Sequence, residues 1–363
     1  MSGSKTDDLN NLRAQINSLD DQLLELLNKR MDVVREVGKL KKLNGAVIYR
    51  PEREKHILDR LKQANKGLLT EHAIEAIFLE IFAVSRNLEL PEKVAYLGPI
   101  GSFSHQAAES RFGAMSEYLP LGTIPAVFEA VATDRVRFGI VPIENNQEGS
   151  VPDTVDCLAE YDIHIVAEVP LDIHFAFASL SSDLLNIKRI YSKDIAFAQC
   201  RKFIYEYFRD DTYEMIPVNS TSKAAIMAAE DPESAAICSH IAAQEHRLPI
   251  MFDNVENSSQ NQTRFLIISK AFINQQSGAD KTSILAKIPD TEKPGSLANF
   301  LQDFYQRKIN LTKIESRPTK GVREFSYWFL IDFEGHYQDE KVQEVLARHD
   351  HYIKWLGSYV KLC

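Results

Sequence analysis

The chain has 363 residues, of which 44% are hydrophobic and 26% charged, and carries a formal net charge of -9. That length leaves room for roughly two or three domains with sizeable cores. The acidic balance, with no basic stripe to offset it, speaks against nucleic acid or an anionic membrane as the main partner, so an anionic substrate must be held by locally placed Arg and Lys.

The opening "MSGSKTDDLNNLRAQ" has no apolar core of signal-peptide type, and no stretch approaches the ~18 apolar residues of a membrane span. Cysteine occurs only at Cys157, Cys200, Cys238 and Cys363, without a Cys-x-x-Cys pair. Scattered thiols in a long chain point to free, reduced residues and a cytoplasmic protein. The 10 histidines show no His-Glu-x-x-His spacing, and there is no Gly-rich phosphate loop. Neither a metal nor another cofactor is expected.

Residues 1–91 carry no strand signal. Leu9, Leu12, Ile16, Leu19, Leu23, Leu26, Val33, Val37 and Leu40 recur every three or four residues, with Asp7 and Asp8 in the first turn. This predicts one helix of about 35 residues, roughly 50 Å long. A seam of that length calls for a partner, so an intertwined helical dimer is expected. Pro51 fits the first turn of a second helix. Thr70 caps a third, with Ile74, Ile77, Phe78, Ile81 and Phe82 on its apolar side.

Arg30 and Lys41 differ by only about 20° around the first helix and about 16 Å along it, so both can lean onto one small anion. Arg13 lies about 100° off that face and suits a pocket on a paired copy instead. Ser85 and Glu89, at i and i+4, point the same way.

"LRAQINSLDDQLLELLNKRMDVVREVGKLK", with "RPERE" and "FAVSRNLE", resembles the all-helical chorismate mutase family over essentially this whole segment. The resemblance implies that Arg13 from the other subunit, Arg30, Lys41, Arg50, Glu54, Ser85 and Glu89 hold chorismate. The rearrangement to prephenate needs no covalent catalysis. It needs a dianion held in its compact conformer, with negative charge on the breaking ether oxygen stabilised. Arginines fork the carboxylates, Lys41 donates to the ether oxygen, and Ser85 and Glu54 fix the ring hydroxyl. Arg50 stands where the enteric form has Asp, and Glu89 where a Gln donates to the ether oxygen. The expected mutase activity therefore falls as Glu89 ionises.

From residues 94 to 271 strands alternate with helices: "KVAYLG", "FGIVPIE", "IHIVAEV", "HFAFAS", "RIYS", "AAICS" and finally "NQTRFLIIS". The pattern reads as α/β with buried strands. "YLGPIGSFSHQAA", "VPIENNQEGSV", "STSKAA" and "NQTRF" together resemble prephenate dehydratase. The resemblance implies two α/β lobes, like those of periplasmic binding proteins, with prephenate in the cleft. Prephenate loses CO2 and its C4 hydroxyl, so a proton donor must assist the departing hydroxide. Thr263 is assigned as that hydrogen-bond donor, and Arg264 or a Ser-rich loop as the carboxylate anchor. Ser102, Glu144, Asn145, Gln199, Ser220, Thr221 and Ser222 line the cleft by the same resemblance. Lys193 stands where relatives often have His; either the position is not essential or it supplies an extra cation.

Residues 281–363 read strand, helix, strand, strand, helix, strand, a ferredoxin-like order that by itself fixes no function. "PGSLANFL" and "ESRPTKG" resemble the regulatory ACT domain, which implies phenylalanine at a domain–domain interface, held by Gly295, Leu297, Glu315, Ser316 and Arg317. Gly295 opens a helix, where amide donors face an amino-acid carboxylate; Ser296 replaces the usual Ala. The alternative for this segment is a purely structural lobe.

Together the matches resemble a bifunctional mutase–dehydratase of phenylalanine biosynthesis, a homodimer or higher homo-oligomer inhibited by L-phenylalanine. Three alternatives stay open: a binding or regulatory protein that traps an aromatic metabolite without turnover, an enzyme keeping one activity, and a dehydratase that prefers arogenate.

Overall fold

Helix α1 runs unbroken over Gly3–Asn44, 42 residues, in the computed structural model, which describes residues 3–44, 49–89, 93–113, 116–208, 213–270, 274–288, 293–318 and 327–362. It begins about a turn before the Asp7–Asp8 pair that was expected to open it. Its periodic side chains Leu12, Ile16, Leu19, Leu23, Leu26 and Val33 are 55–64% exposed in the single chain. Only its C-terminal half packs, against α3 (Glu71–Glu89), where Gly38 admits Glu89: a Cβ there would lie 3.2 Å from Glu89 Cγ. Between them α2 (Pro51–Ala64) starts at its proline, and Thr70 Oγ1 caps α3 by accepting from the Ala73 amide at 3.1 Å.

A first lobe holds β1 (Lys93–Leu97), α4 (Phe103–Phe112), β2 (Glu117–Leu121), α5 (Ile124–Ala132), β3 (Phe138–Asn145), β4 (Gly149–Ser150), α6 (Pro152–Glu160) and β5 (His164–Asp172). The chain crosses to a second lobe with β6 (Ala176–Ser179), β7 (Arg189–Ser192), α7 (Asp194–Gln199), α8 (Arg201–Tyr207), β8 (Glu214–Pro217), α9 (Thr221–Ala229), β9 (Ser234–Cys238), α10 (His240–Glu245) and β10 (Ile250–Phe252). It then returns through β11 (Gln262–Ser269), which slots antiparallel between β3 and β5. The sheet orders are β2-β1-β3-β11-β5, with β4 on β3, and β10-β6-β9-β7-β8. Strands β2, β8 and β10, absent from the sequence reading, are sheet edges; Pro120 and Pro217 are tolerated there because an edge strand has no second partner to satisfy.

The third segment has β12 (Asp280–Ala286), α11 (Ser296–Gln306), β13 (Leu311–Pro318), β14 (Tyr327–Glu334), α12 (Glu340–Arg348) and β15 (Ile353–Val360), in antiparallel order β13-β14-β12-β15. It does not sit apart. Leu285, Leu330, Leu356 and Tyr359 share one apolar cluster with Val141, Ile165 and Leu266 of the first lobe. At Gly357 the two backbones meet so closely that a Cβ would lie 2.1 Å from the Ile165 carbonyl oxygen. The helical segment is joined to the same lobe, because Tyr49 is buried in a cluster with Phe112, Phe138 and Phe265. The boundaries expected at residues 91 and 271 fall outside the described residues, as do residues 319–321 and Cys363. No helix among the described residues is long and apolar enough to cross a membrane.

Candidate active sites

The C-terminal half of α1, the start of α2 and the end of α3 enclose a cleft of about 330 Å³ lined by Arg30, Lys41, Arg50, Arg53, Glu54, Ser85 and Glu89. Spacing on α1 brings Arg30 and Lys41 to one face, and α3 supplies Ser85 and Glu89 one turn apart. Lys41 Nζ donates to Glu89 Oε2 at 2.8 Å. Arg30 donates to Ser85 Oγ, whose own hydroxyl donates to the Ile81 carbonyl at 2.6 Å. Burial pulls the Arg30 pKa down while the Glu89 charge opposes it. Its guanidinium lies 5.8 Å from the Phe82 ring centroid. The result is a cation-rich cleft with apolar walls, suited to a small dianion.

Arg50 lines this cleft, but its Nε donates to Glu52 at 2.7 Å and its Nη2 to Gln275 in the stretch leading into β12. Arg13 is exposed and does not line the cleft; at 1.5 Å per residue it sits about 26 Å up the helix from Arg30. Arg53 was missed by the sequence reading. Its signal was there, one turn after Arg50 on the same face of α2.

A second polar site forms where β3 ends and β11 begins. Thr263 pairs with Asn145 in the strand register. Asn145 Oδ1 accepts the amides of Gln147 and Glu148 at 2.9 and 3.0 Å, which fixes its amide orientation. Its Nδ2 therefore donates, to Thr263 Oγ1 at 2.9 Å and to Asn261 Oδ1 at 2.8 Å. With that lone pair used, the Thr263 hydroxyl proton is directed away from Asn145. Asn261 Nδ2 reaches Gln199 Oε1 at 3.2 Å, and Gln199 Nε2 reaches Gln147 at 3.2 Å, so the second lobe joins the network through α7. Asn261 and Gln147 were not named from the sequence, though both lie within quoted motifs.

The hydroxyl residues expected in the cleft make structural contacts. Ser102 caps α4, accepting from His105 N at 3.3 Å and donating to the Leu97 carbonyl at 3.0 Å. Ser220 caps α9 by accepting from Lys223 N at 3.0 Å. Thr221 is buried in the first turn of α9. Ser222 Oγ donates to the Ile100 carbonyl across the lobes, and Ser239 Oγ does the same to Gly101 at 2.7 Å. These contacts place the Gly98–Ser102 loop against the N-termini of α9 and α10. Lys193 is exposed at the start of α7.

Two named residues face the other way. Glu144 and Arg264 pair with each other at 2.6 Å on the opposite surface of the sheet from Asn145 and Thr263. Arg264 also reaches Glu168 at 3.2 Å and Asp332 of β14 at 2.8 Å. Burial alone would weaken this cation, but Asp332, Glu144 and Glu168 hold its pKa above the ordinary arginine value. With all its nitrogens facing carboxylates, Arg264 does not serve as a substrate-carboxylate anchor in this conformation. Neighbours on a strand face opposite sides, which corrects both assignments.

Residues 12–90 match the type II chorismate mutase family and residues 94–272 the prephenate dehydratase family. The bifunctional chorismate mutase/prephenate dehydratase of Aquifex aeolicus is 38% identical over 98% of both chains. That of Pseudomonas aeruginosa is likewise 38% identical over 98% of each. The chain belongs to this bifunctional family. Among solved structures, the prephenate dehydratase of Arthrobacter aurescens in complex with L-Phe is 32% identical, with a TM-score of 0.67, over 74% of this chain and 90% of that one.

The enzyme therefore carries a chorismate mutase and a prephenate dehydratase of phenylalanine biosynthesis, in the helical segment and the two-lobed body respectively. Its third segment meets the dehydratase along a charged seam. Lys313 pairs with Glu144, Glu315 accepts from Ser150 Oγ, and Arg317 lies 3.9 Å from Asp156. Ser316 points to the exposed face of β13, away from Glu315 and Arg317. Leu297 packs into the third segment's own core. Gly295, at φ +91, precedes α11 in a left-handed conformation that a side chain would strain.

Proposed function

We propose that this enzyme is a cytoplasmic homodimer or higher homo-oligomer whose dehydratase is restrained by L-phenylalanine bound at the third segment. That segment is read as an ACT domain of ferredoxin-like fold, with residues 1–91, 94–271 and 281–363 as the three working units. One observation carries the reading. Along β3 and β11, Asn145 and Thr263 hydrogen-bond to each other on one face of the sheet while their neighbours Glu144 and Arg264 pair on the other with Lys313 and Asp332 of the third segment. A ligand that shifts the third segment acts on the two strands that hold the dehydratase network.

In the mutase, Arg30, Lys41 and Arg53, with Arg13 from a second copy, grip the chorismate carboxylates and ether oxygen. Ser85 and Glu54 hold the ring hydroxyl, and Glu89 orients the Lys41 ammonium that donates to the ether oxygen. In the dehydratase, Thr263 donates to the departing C4 oxygen from the orientation Asn145 gives it, and Gln199 and Asn261 bound the site. Inhibition requires that L-phenylalanine bind two states with different affinity.

The test follows prephenate and phenylpyruvate separately, with and without L-phenylalanine. Phenylpyruvate formation is expected to fall with the effector in the native enzyme and to fall less in Asp332→Asn. Identical dehydratase rates with and without L-phenylalanine would refute the regulatory reading.

A further inference from the structure

Glu54 stands in the wall between two clefts. One is the mutase cleft. The other, about 180 Å³, lies among α2, α3, Arg111 and Ala167 of the first dehydratase lobe, and Val360 and Leu362 of the third segment. The Glu54 carboxylate is held by Arg86 Nη1 from α3, and Arg86 is only 6% exposed. Its Nη2 donates to the Arg111 carbonyl at the end of α4. The guanidinium lies 5.4 Å from the Tyr49 ring centroid and 5.8 Å from that of Phe112. Tyr49 in turn packs 5.3 Å from Phe112 and 5.5 Å from Phe138, inside the dehydratase core. Close by, α3 meets α4 so tightly that a Cβ on Gly113 would lie 2.3 Å from that of Ala83.

We infer that Arg86 is a positioning residue of the mutase, that it holds Glu54 at the cleft, and that the dehydratase lobe is the mount to which Arg86 is fixed. This rests on the reading of Glu54 as a substrate-binding residue. As a carboxylate, Glu54 accepts a markedly stronger hydrogen bond from the ring hydroxyl than as the neutral acid. Burial pushes its carboxyl up, and Arg86 is the nearest influence in the other direction, followed by Arg111. Glu52 and Tyr49 also face it, and Arg30, Lys41 and Glu89, with Arg50 and Arg53, line the cleft beside it. Without the Arg86 cation the carboxyl keeps its proton to higher pH. Activity that needs the carboxylate is lost as pH falls, so the acid limb of mutase kcat/KM moves up.

The test measures mutase and dehydratase pH profiles on the full chain carrying Arg86→Met, Arg86→Lys or Glu54→Gln. Arg86→Met is expected to lower mutase kcat/KM at neutral pH at least about tenfold, as misplacement of a binding group does. Its acid limb should move to higher pH while the dehydratase profile stays put. Arg86→Lys keeps the charge but loses the fork, so its acid limb returns to the native position with kcat/KM still lowered. A native mutase pH limb in Arg86→Met, with Glu54→Gln inactive, overturns the inference alone. A fully active Glu54→Gln overturns the reading of Glu54 beneath it. If Arg86→Met loses both activities, Arg86→Lys decides: native mutase kcat/KM in that variant overturns the inference.

Discussion

A threonine hydroxyl is a poor acid, and its usefulness at position 263 depends on which way its hydrogen points. Asn145 cannot turn its amide round without giving up two backbone amides, so Thr263 accepts from it and its own hydrogen is left for another acceptor. Thr263→Ala is expected to lower phenylpyruvate formation about 10²–10³-fold, the usual cost of losing one donor to developing negative charge. Prephenate formation should be spared; loss of both products would count against separate sites. In the mutase, Glu89 accepts from Lys41, and a carboxylate there has no hydrogen to give the ether oxygen. Glu89→Gln supplies an amide donor and should raise mutase kcat/KM, and unchanged kinetics would remove Glu89 from the chemistry. Motifs named Thr263, Asn145 and Gln199 together, and the structure joins the three in one hydrogen-bond network through Asn261. The same motifs put Arg264 and Glu144 in the same pocket, since adjacency in a motif says nothing of the alternation that sends neighbours to opposite faces. Arg86 escaped because its function passes through Glu54 and a backbone carbonyl, neither of which leaves a mark in the spacing.

Elements were readable where burial imposes a pattern. Strands β1, β3, β5 and β11 stood out as apolar runs because the sheet is covered by the third segment on one side and α4 on the other. The edge strands β2, β8 and β10 did not, since one-sided pairing needs no such run. The loop between β1 and α4, with its "GSFS", carries a demand that residue type alone does not show: close packing of the lobes. Gly101 has φ +79, and a Cβ there would lie 2.9 Å from Ala242 Cα. Gly101→Ala should cost roughly 1–3 kcal/mol from backbone strain and overpacking. The expected readout is a lower melting temperature with a dehydratase defect larger than any mutase defect. A variant as stable and active as the native enzyme would show that the lobes do not need that contact.

At the scale of the whole molecule, α1 carries an apolar seam that a single chain leaves uncovered, and each of its leucines gains about 1.5–3 kcal/mol on full burial. A second copy that covered the seam would also bring Arg13 toward a cleft it does not reach within its own chain. Leu19→Lys with Leu23→Lys is expected to give monomers by sedimentation, with mutase activity down about 10²-fold for want of one positioned cation and the dehydratase retained. A monomeric variant with full mutase activity would show that each cleft is complete in one chain. The third segment's arrangement was legible from its strand–helix order, but its shared core with the first lobe was not, because a pattern of apolar residues does not say across which boundary they pack. Tyr49 shows most sharply what such sharing entails. By sequence it belongs to one enzyme and by packing to the other, so no cut before Lys93 yields two intact proteins. A dehydratase starting there keeps a ring-sized hole between Phe112 and Phe138, and the released helices carry a tyrosine with nothing to cover it.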